Sequence, residues 1–156
     1  MSSERFEVVT VWTGNSGTGT SGYGAYERAH EFRIPGKPVI RGSSASAYRG
    51  DAGLQNPEEL LVASASACHM LWYLHLCAES GVVVESYEDR ATGELVVYPS
   101  GSGEFASVTL RPRVRIRGGG NVDVARSLHT EAGARCFIAR SLKCDVLLEP
   151  SVGVVE

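Results

Sequence analysis

Asn56-Pro57-Glu58-Glu59-Leu60-Leu61-Val62-Ala63-Ser64-Ala65-Ser66-Ala67-Cys68-His69 runs on through Met70-Leu71-Trp72-Tyr73-Leu74-His75-Leu76-Cys77 to Ser80-Gly81. This stretch sets the helical centre around which the rest of the chain is arranged. Asn56 suits an N-cap, Pro57 the first helical position, and Glu58 and Glu59 the positive end of the helix dipole. From Glu58 to Ser80 there is no Gly or Pro, and Gly81 is a natural stop. The pattern predicts one helix of about 24 residues, about 36 Å long. It is apolar on nearly every side from Leu60 to Cys77, which points to a buried central helix.

On either side of it the signals are of strands. Glu7 to Trp12 reads as a strand, Gly14 to Gly24 as a Gly/Ser/Thr-rich loop, and Pro35-Gly36-Lys37-Pro38 as a turn. Ser43 to Gly53 is small and polar, and reads as irregular or a short strand. After the helix come two long β-type runs, Val82 to Tyr98 and Phe105 to Arg117, joined by the hairpin signal Pro99-Ser100-Gly101-Ser102-Gly103. Asn121 to Arg135 reads as a second helix broken at Gly133. A short helical piece from Cys136 to Leu142 and a last strand, Asp145 to Glu149, follow. The fold class is therefore α+β: antiparallel sheet curled around a long central helix, as a single domain over residues 1–156.

The 156 residues suffice for one core without covalent staples. A net charge of −3 and a pI near 5.8 argue against a dedicated nucleic-acid binder. We find no apolar run of the roughly 20 residues that span a bilayer, so no membrane partner is expected. Met1-Ser2-Ser3-Glu4-Arg5 lacks the features of a secretory leader. A cytoplasmic location is the expectation. Four cysteines in such a chain point to catalysis, metal or burial rather than a disulfide scaffold.

Cys68 is approached by Ala and Ser, which leave room for a reactant. Ser64, Trp72 and His75 share its helical face. It lies mid-helix, so an activating cation must come from another segment. Cys136 falls at the head of the short helical piece, where a thiolate is favoured. An inert buried thiol is the competing reading for Cys68, since free Cys is among the most buried residue types. Cys77 and Cys144 read as structural. For a metal, Cys68, His69, His75 and Cys77 are crowded, but there is no Cys-x₂-Cys pair, and neighbours on a helix point about 100° apart. No metal or other cofactor is expected. No Gly-x-Ser-x-Gly elbow suggests a serine hydrolase. Arg111, Arg113, Arg115 and Arg117 alternate with Pro112, Val114 and Ile116, the pattern of a solvated sheet face.

Asn56-Pro57-Glu58-Glu59-Leu60, the Ala-rich stretch leading to Cys68, and Cys136-Phe137-Ile138-Ala139-Arg140-Ser141-Leu142 together resemble the OsmC/Ohr family. These are the osmotically inducible protein C and organic hydroperoxide resistance proteins. The resemblance extends from Tyr48 to Val146. Cys68-His69-Met70-Leu71-Trp72-Tyr73-Leu74 and Ile34-Pro35-Gly36-Lys37 look like an OsmC-like branch distinct from either named type.

The resemblance implies a thiol peroxidase working without metal or flavin. Cys68 is then the peroxidatic thiol, oxidised to a sulfenic acid, and Cys136 the resolving thiol that closes a disulfide. A dithiol or lipoyl-type reductant reopens it. Glu58 matches the family's Glu, which orients an Arg beside the thiolate. Arg49 is the best match for that Arg, one residue closer to the motif than usual, with Arg41 as second choice. Cys144 is an alternative resolving thiol. His69 departs from the commoner apolar residue after the peroxidatic Cys. Leu71, Trp72 and Phe137 are expected to form an apolar pocket that favours organic hydroperoxides.

Glu58 and Cys68 are ten residues apart on one predicted helix, about 15 Å along its axis. They cannot meet within one continuous helix. If both serve one active site, Glu58 comes from a second subunit with Arg49 beside it, which implies an intertwined homodimer with active sites at the subunit interface. The alternative is a dimeric OsmC-like protein that binds an apolar small molecule without peroxide turnover, since a fold can outlive its chemistry.

Overall fold

The computed structural model describes residues 1–155. The chain divides into two compact units, Met1–Leu60 and Leu61–Glu156, with the first turn of the long helix at the end of the first.

In the first unit, β1 (Val9–Trp12), β2 (His30–Arg33) and β3 (Ile40–Gly42) form an antiparallel sheet in chain order. The Gly-rich loop after β1 is held by the Glu27 amide donating to the Gly14 carbonyl at 2.8 Å, and by the Trp12 indole donating to the Glu27 carbonyl at 2.8 Å. A 3₁₀ turn at Ser46–Tyr48 follows, ended by Arg49 at φ +64°.

Helix α1 (Pro57–Glu79) begins as the sequence predicts. The Asn56 side chain accepts from the Glu59 amide at 2.8 Å, and the Asn56 amide donates to the Glu59 carboxylate at 3.1 Å, a reciprocal capping box. It ends at Gly81, φ +71°, with Val82 N–H on the Cys77 carbonyl and Gly81 N–H on that of Ala78.

The expectation of all-round burial is corrected. Only one stripe is buried, Ala65, His69, Tyr73, Leu76 and Cys77, at the 4-4-3-1 spacing of one helical face. Over its most apolar 18 residues the mean hydropathy is 1.4 and only 28% is buried. By length and composition alone α1 is long and apolar enough to cross a membrane, so the sequence reading that found no such run is also corrected. The scattered Ser and His residues hide the run from a search for uninterrupted apolar sequence.

The two β-type runs are four strands. β4 (Val84–Asp89) pairs antiparallel with β7 (Pro112–Ile116), and β5 (Thr92–Val97) with β6 (Gly103–Leu110). The expected hairpin joins β5 to β6. The long ribbon divides where Asp89 opposes Pro112. There the Asp89 carboxylate accepts from the Arg111 amide at 2.7 Å and from the Ser66 hydroxyl of α1.

Helix α2 (Val122–Arg135) is capped by Asn121 and runs through Gly133 without the expected break. A Cβ on Gly133 would lie 3.0 Å from Leu148, so this glycine serves close helix–sheet packing. α3 (Phe137–Ser141) and β8 (Asp145–Leu148) follow, and then a strand that the sequence reading missed, β9 (Ser151–Val154). β8 lies parallel to β6, and β9 parallel to β7. The expectation of a purely antiparallel sheet is therefore corrected. This unit holds two three-stranded mixed sheets, β4-β7-β9 and β5-β6-β8. The α+β class with a central helix stands.

One core cluster gathers Tyr73, Leu76, Val114, Ile116, Ala125 and Leu128, and a smaller one Ala65, Val108 and Leu110. On β7, Val114 and Ile116 point inward while Arg113 and Arg115 are exposed. Arg111 and Arg117 pair with Glu149 and Glu85. The arginine stripe is a solvated face, as expected.

Candidate active site

Two helices bring Cys68 and Cys136 together. Cys68 stands one position off the buried stripe of α1 and is half-buried. Cys136 is the hinge residue between α2 and α3, ending one and capping the other. It is 1% exposed, and its sulfur accepts from the Ala139 amide at 3.4 Å. The Cys68 thiol is its neighbour. Burial pushes the Cys136 thiol up to about 11. The nearby Cys68 adds to this, and the Ala139 amide opposes it. A thiol so held is neutral at pH 7 until something removes its proton.

Cys144 packs against the smaller core cluster and Cys77 is buried in the larger, where desolvation raises its pKa. It is Cys136 that neighbours Cys68.

Trp72 and Phe137 meet edge to face at 5.5 Å, with the Arg135 guanidinium 5.7 Å from the Trp72 ring. Phe137 is 67% and Leu71 63% exposed, so with Trp72 they present apolar surface. A cavity of about 240 Å³ lies against Cys136. His69, Leu110, Thr130, Cys136, Ala139 and Val146 are among its walls.

His69 belongs to a feature that the sequence reading did not find. Its Nε2 lies 3.0 Å from Nδ1 of His129, and both residues are 1% exposed. His129 stacks on Tyr73 with ring centroids 3.8 Å apart. Burial lowers the pKa of His69, with Asp89 pulling the other way. Burial, and then His69, lower His129 to about 3. Both imidazoles are neutral at pH 7. The signal for His129 was present, because it stands on the stripe Ala125, Leu128, His129, Ala132 that α2 buries.

In the first unit, Arg49 is exposed and is the one non-glycine residue at positive φ among those described. Left-handed backbone at a non-glycine residue costs of order 1–3 kcal/mol and gathers at functional positions. Its guanidinium lies 5.9 Å from the Tyr23 ring. Glu58 is half-buried in the first turn of α1. Among the described residues neither Arg49 nor Glu58 forms an ion pair within the chain. Arg41 is exposed on β3, opposite Glu31. Also among the described residues, no three His, Cys, Asp or Glu side chains converge as a metal site would require.

A family model described as OsmC-like protein matches residues 50–151. The chain is similar to an OsmC-like protein of unknown function from Vibrio cholerae, at 28% identity and a TM-score of 0.86, covering 96% of this chain and all of that one. An organic hydroperoxide resistance protein OsmC from Legionella pneumophila shares the fold at 17% identity and a TM-score of 0.67, over 99% and 100% of the two chains. So does the organic hydroperoxide resistance protein OhrB of Bacillus subtilis, at 16% identity and a TM-score of 0.60, over 96% and 98%. No curated protein matches the chain. A long capped helix carrying one cysteine, a second cysteine at a helix junction and a family match over some two thirds of the sequence lead to one assignment: the chain belongs to the OsmC-like family.

Proposed function

We propose that the protein is a thiol-dependent peroxidase that reduces organic hydroperoxides with Cys68 and Cys136. The observation that carries this reading is a half-buried thiol on α1 neighbouring a buried thiol at the α2–α3 junction. A peroxide reaches the outer sulfur, and the inner one waits beside it. The Cys68 thiolate attacks the O–O bond, the alcohol leaves, and a sulfenic acid remains on Cys68. Cys136 then displaces water and forms the disulfide, which a dithiol or lipoyl-type reductant reopens. The names of the Legionella and Bacillus neighbours point the same way.

Arg49 and Glu58 complete the site from the second subunit of a homodimer. The Arg lowers the Cys68 pKa and stabilises charge on the leaving oxygen. Three observations favour this arrangement: the strained backbone of Arg49, the absence of an intrachain ion pair for Arg49 or Glu58 among the described residues, and the thin burial of α1. Trp72 and Phe137, with Leu71 beside them, offer the apolar surface that selects organic hydroperoxides over hydrogen peroxide.

Titration of the reduced protein with one equivalent of cumene hydroperoxide, followed by mass spectrometry, tests the reading. A Cys68–Cys136 disulfide in the wild type, a retained sulfenic acid in Cys136→Ser and no reaction in Cys68→Ser are expected. Unreacted thiols throughout would leave a dimeric binding protein for an apolar small molecule. Equal rates with cumene hydroperoxide and hydrogen peroxide would remove the substrate preference.

A further inference from the structure

His69 and His129 form a buried polar pair that the two-thiol scheme does not use. A hydrophobic pair of similar size would fill the same space with no donor or acceptor to satisfy. The pair is also incompletely satisfied, because Nε2 of His129 is buried without a partner. It is nonetheless held tightly, by the 3.0 Å bond between the rings and by the Tyr73 stack. One member reaches a boundary: His69 and Cys136 are walls of the same cavity of about 240 Å³. Cys68 is not among that cavity's walls.

We propose that His69, oriented by His129, accepts the Cys136 proton across this cavity in the disulfide-forming step. This rests on the two-thiol reading above and assigns one of its steps. The proton balance is closed. Cys136 gives its proton to His69 as its sulfur attacks the Cys68 sulfur. The S–S bond forms and the S–O bond breaks. The departing hydroxide takes up the proton, so one water leaves and both imidazoles end neutral. His129 is a positioning residue, since its bond engages Nε2 of His69 and leaves Nδ1 as the nitrogen able to take the proton.

The need for such a group follows from the burial of Cys136. With the thiol pushed up to about 11, only about one molecule in 10⁴ carries the thiolate at pH 7. A neutral imidazole is a weak base. It serves when proton removal and sulfur attack coincide, because the thiolate is consumed as it forms. The other titratable groups around the pair are Tyr73 on α1, Asp89 at the end of β4 and the two thiols. Tyr73 stays protonated well above neutral pH, through burial.

Quench-flow mass spectrometry after a pulse of cumene hydroperoxide separates the steps, since the sulfenic acid and the disulfide differ in mass. In the wild type the disulfide-forming rate should be flat from pH 6 to 8. In His69→Gln, which keeps a partner for His129 but no exchangeable ring proton, the sulfenic acid should accumulate. Its conversion should slow by about 10² or more at pH 7 and rise tenfold per pH unit towards 11, as hydroxide replaces the imidazole. His129→Asn, which retains an acceptor near the Nδ1 position, should stay close to wild type, and His129→Leu should not. A folded His69→Gln protein with a wild-type rate, or with a slowing that does not depend on pH, overturns the proposal. So does a wild-type rate that already climbs tenfold per unit from pH 6 to 8, a readout that needs no variant. If the wild type forms no sulfenic acid, the peroxidase reading itself has failed, which is a different result.

Discussion

At the scale of single residues, the two buried histidines carry a cost that pH exposes. An unfolded chain presents His129 with an ordinary pKa near 6.5, whereas the folded chain holds it at about 3. Between these values the unfolded state takes up a proton that the native state refuses. The stability linked to His129 is therefore complete above about pH 6.5 and is lost as pH falls towards 3. The slope reaches about 1.4 kcal/mol per pH unit where the difference is a full proton. His69 is lowered by the same burial, so it acts in the same direction. We expect the melting temperature to drop between pH 7 and 4.5, and His129→Phe to show a smaller drop than the wild type. Phe keeps a ring against Tyr73 and removes the proton site. Thermal unfolding of both proteins across that range decides it, and parallel curves would mean that carboxylates alone set the acid limit.

At the scale of elements, α1 shows what could be read in advance and what could not. Its ends were legible because capping is local chemistry. Asn56, Glu59 and Gly81 each act within a turn of their position, and each is found doing so. Asn56→Ala should therefore cost about 1 kcal/mol. That amounts to about 2–4 °C in melting temperature for a chain of this size. An unchanged midpoint in differential scanning calorimetry would show that the capping box adds nothing. Non-local features were not legible. The ribbon from Val84 to Ile116 divides at Asp89 because Ser66, on a helix some twenty residues earlier, binds that carboxylate. β8 and β9 run parallel to β6 and β7, a relation that no pattern within a strand encodes. Gly133 looked like a helix break because its packing against Leu148 is invisible in sequence. The proximity of Cys68 and Cys136 was implied only by family likeness, while the periodic signal that buries His129 went unread.

At the scale of the whole molecule, one chain leaves too much apolar surface uncovered. The most apolar part of α1 is 28% buried, β5 is exposed along its whole length, and Leu95, Val96 and Val97 lie on it. Such surface is ordinarily covered by a partner. In the proposed homodimer a specific geometry follows from helix rise. Glu58 and Cys68 are about 15 Å apart along one continuous helix and so serve different active sites. Complementation reads this directly. Cys68→Ser and Glu58→Ala homodimers should each be impaired. A mixed dimer joins the intact Glu58 of one subunit to the intact Cys68 of the other, which restores one of its two sites. Random remixing of equal amounts should thus recover about a quarter of wild-type sites. If both residues acted within one chain, every site in the mixture would lack one of them and no recovery would occur. Light scattering at micromolar concentration supplies the necessary condition, a mass twice the 16.7 kDa of one chain. A dimer that fails to complement would confine Glu58 to a structural role at the head of α1, and a monomer would remove the shared site.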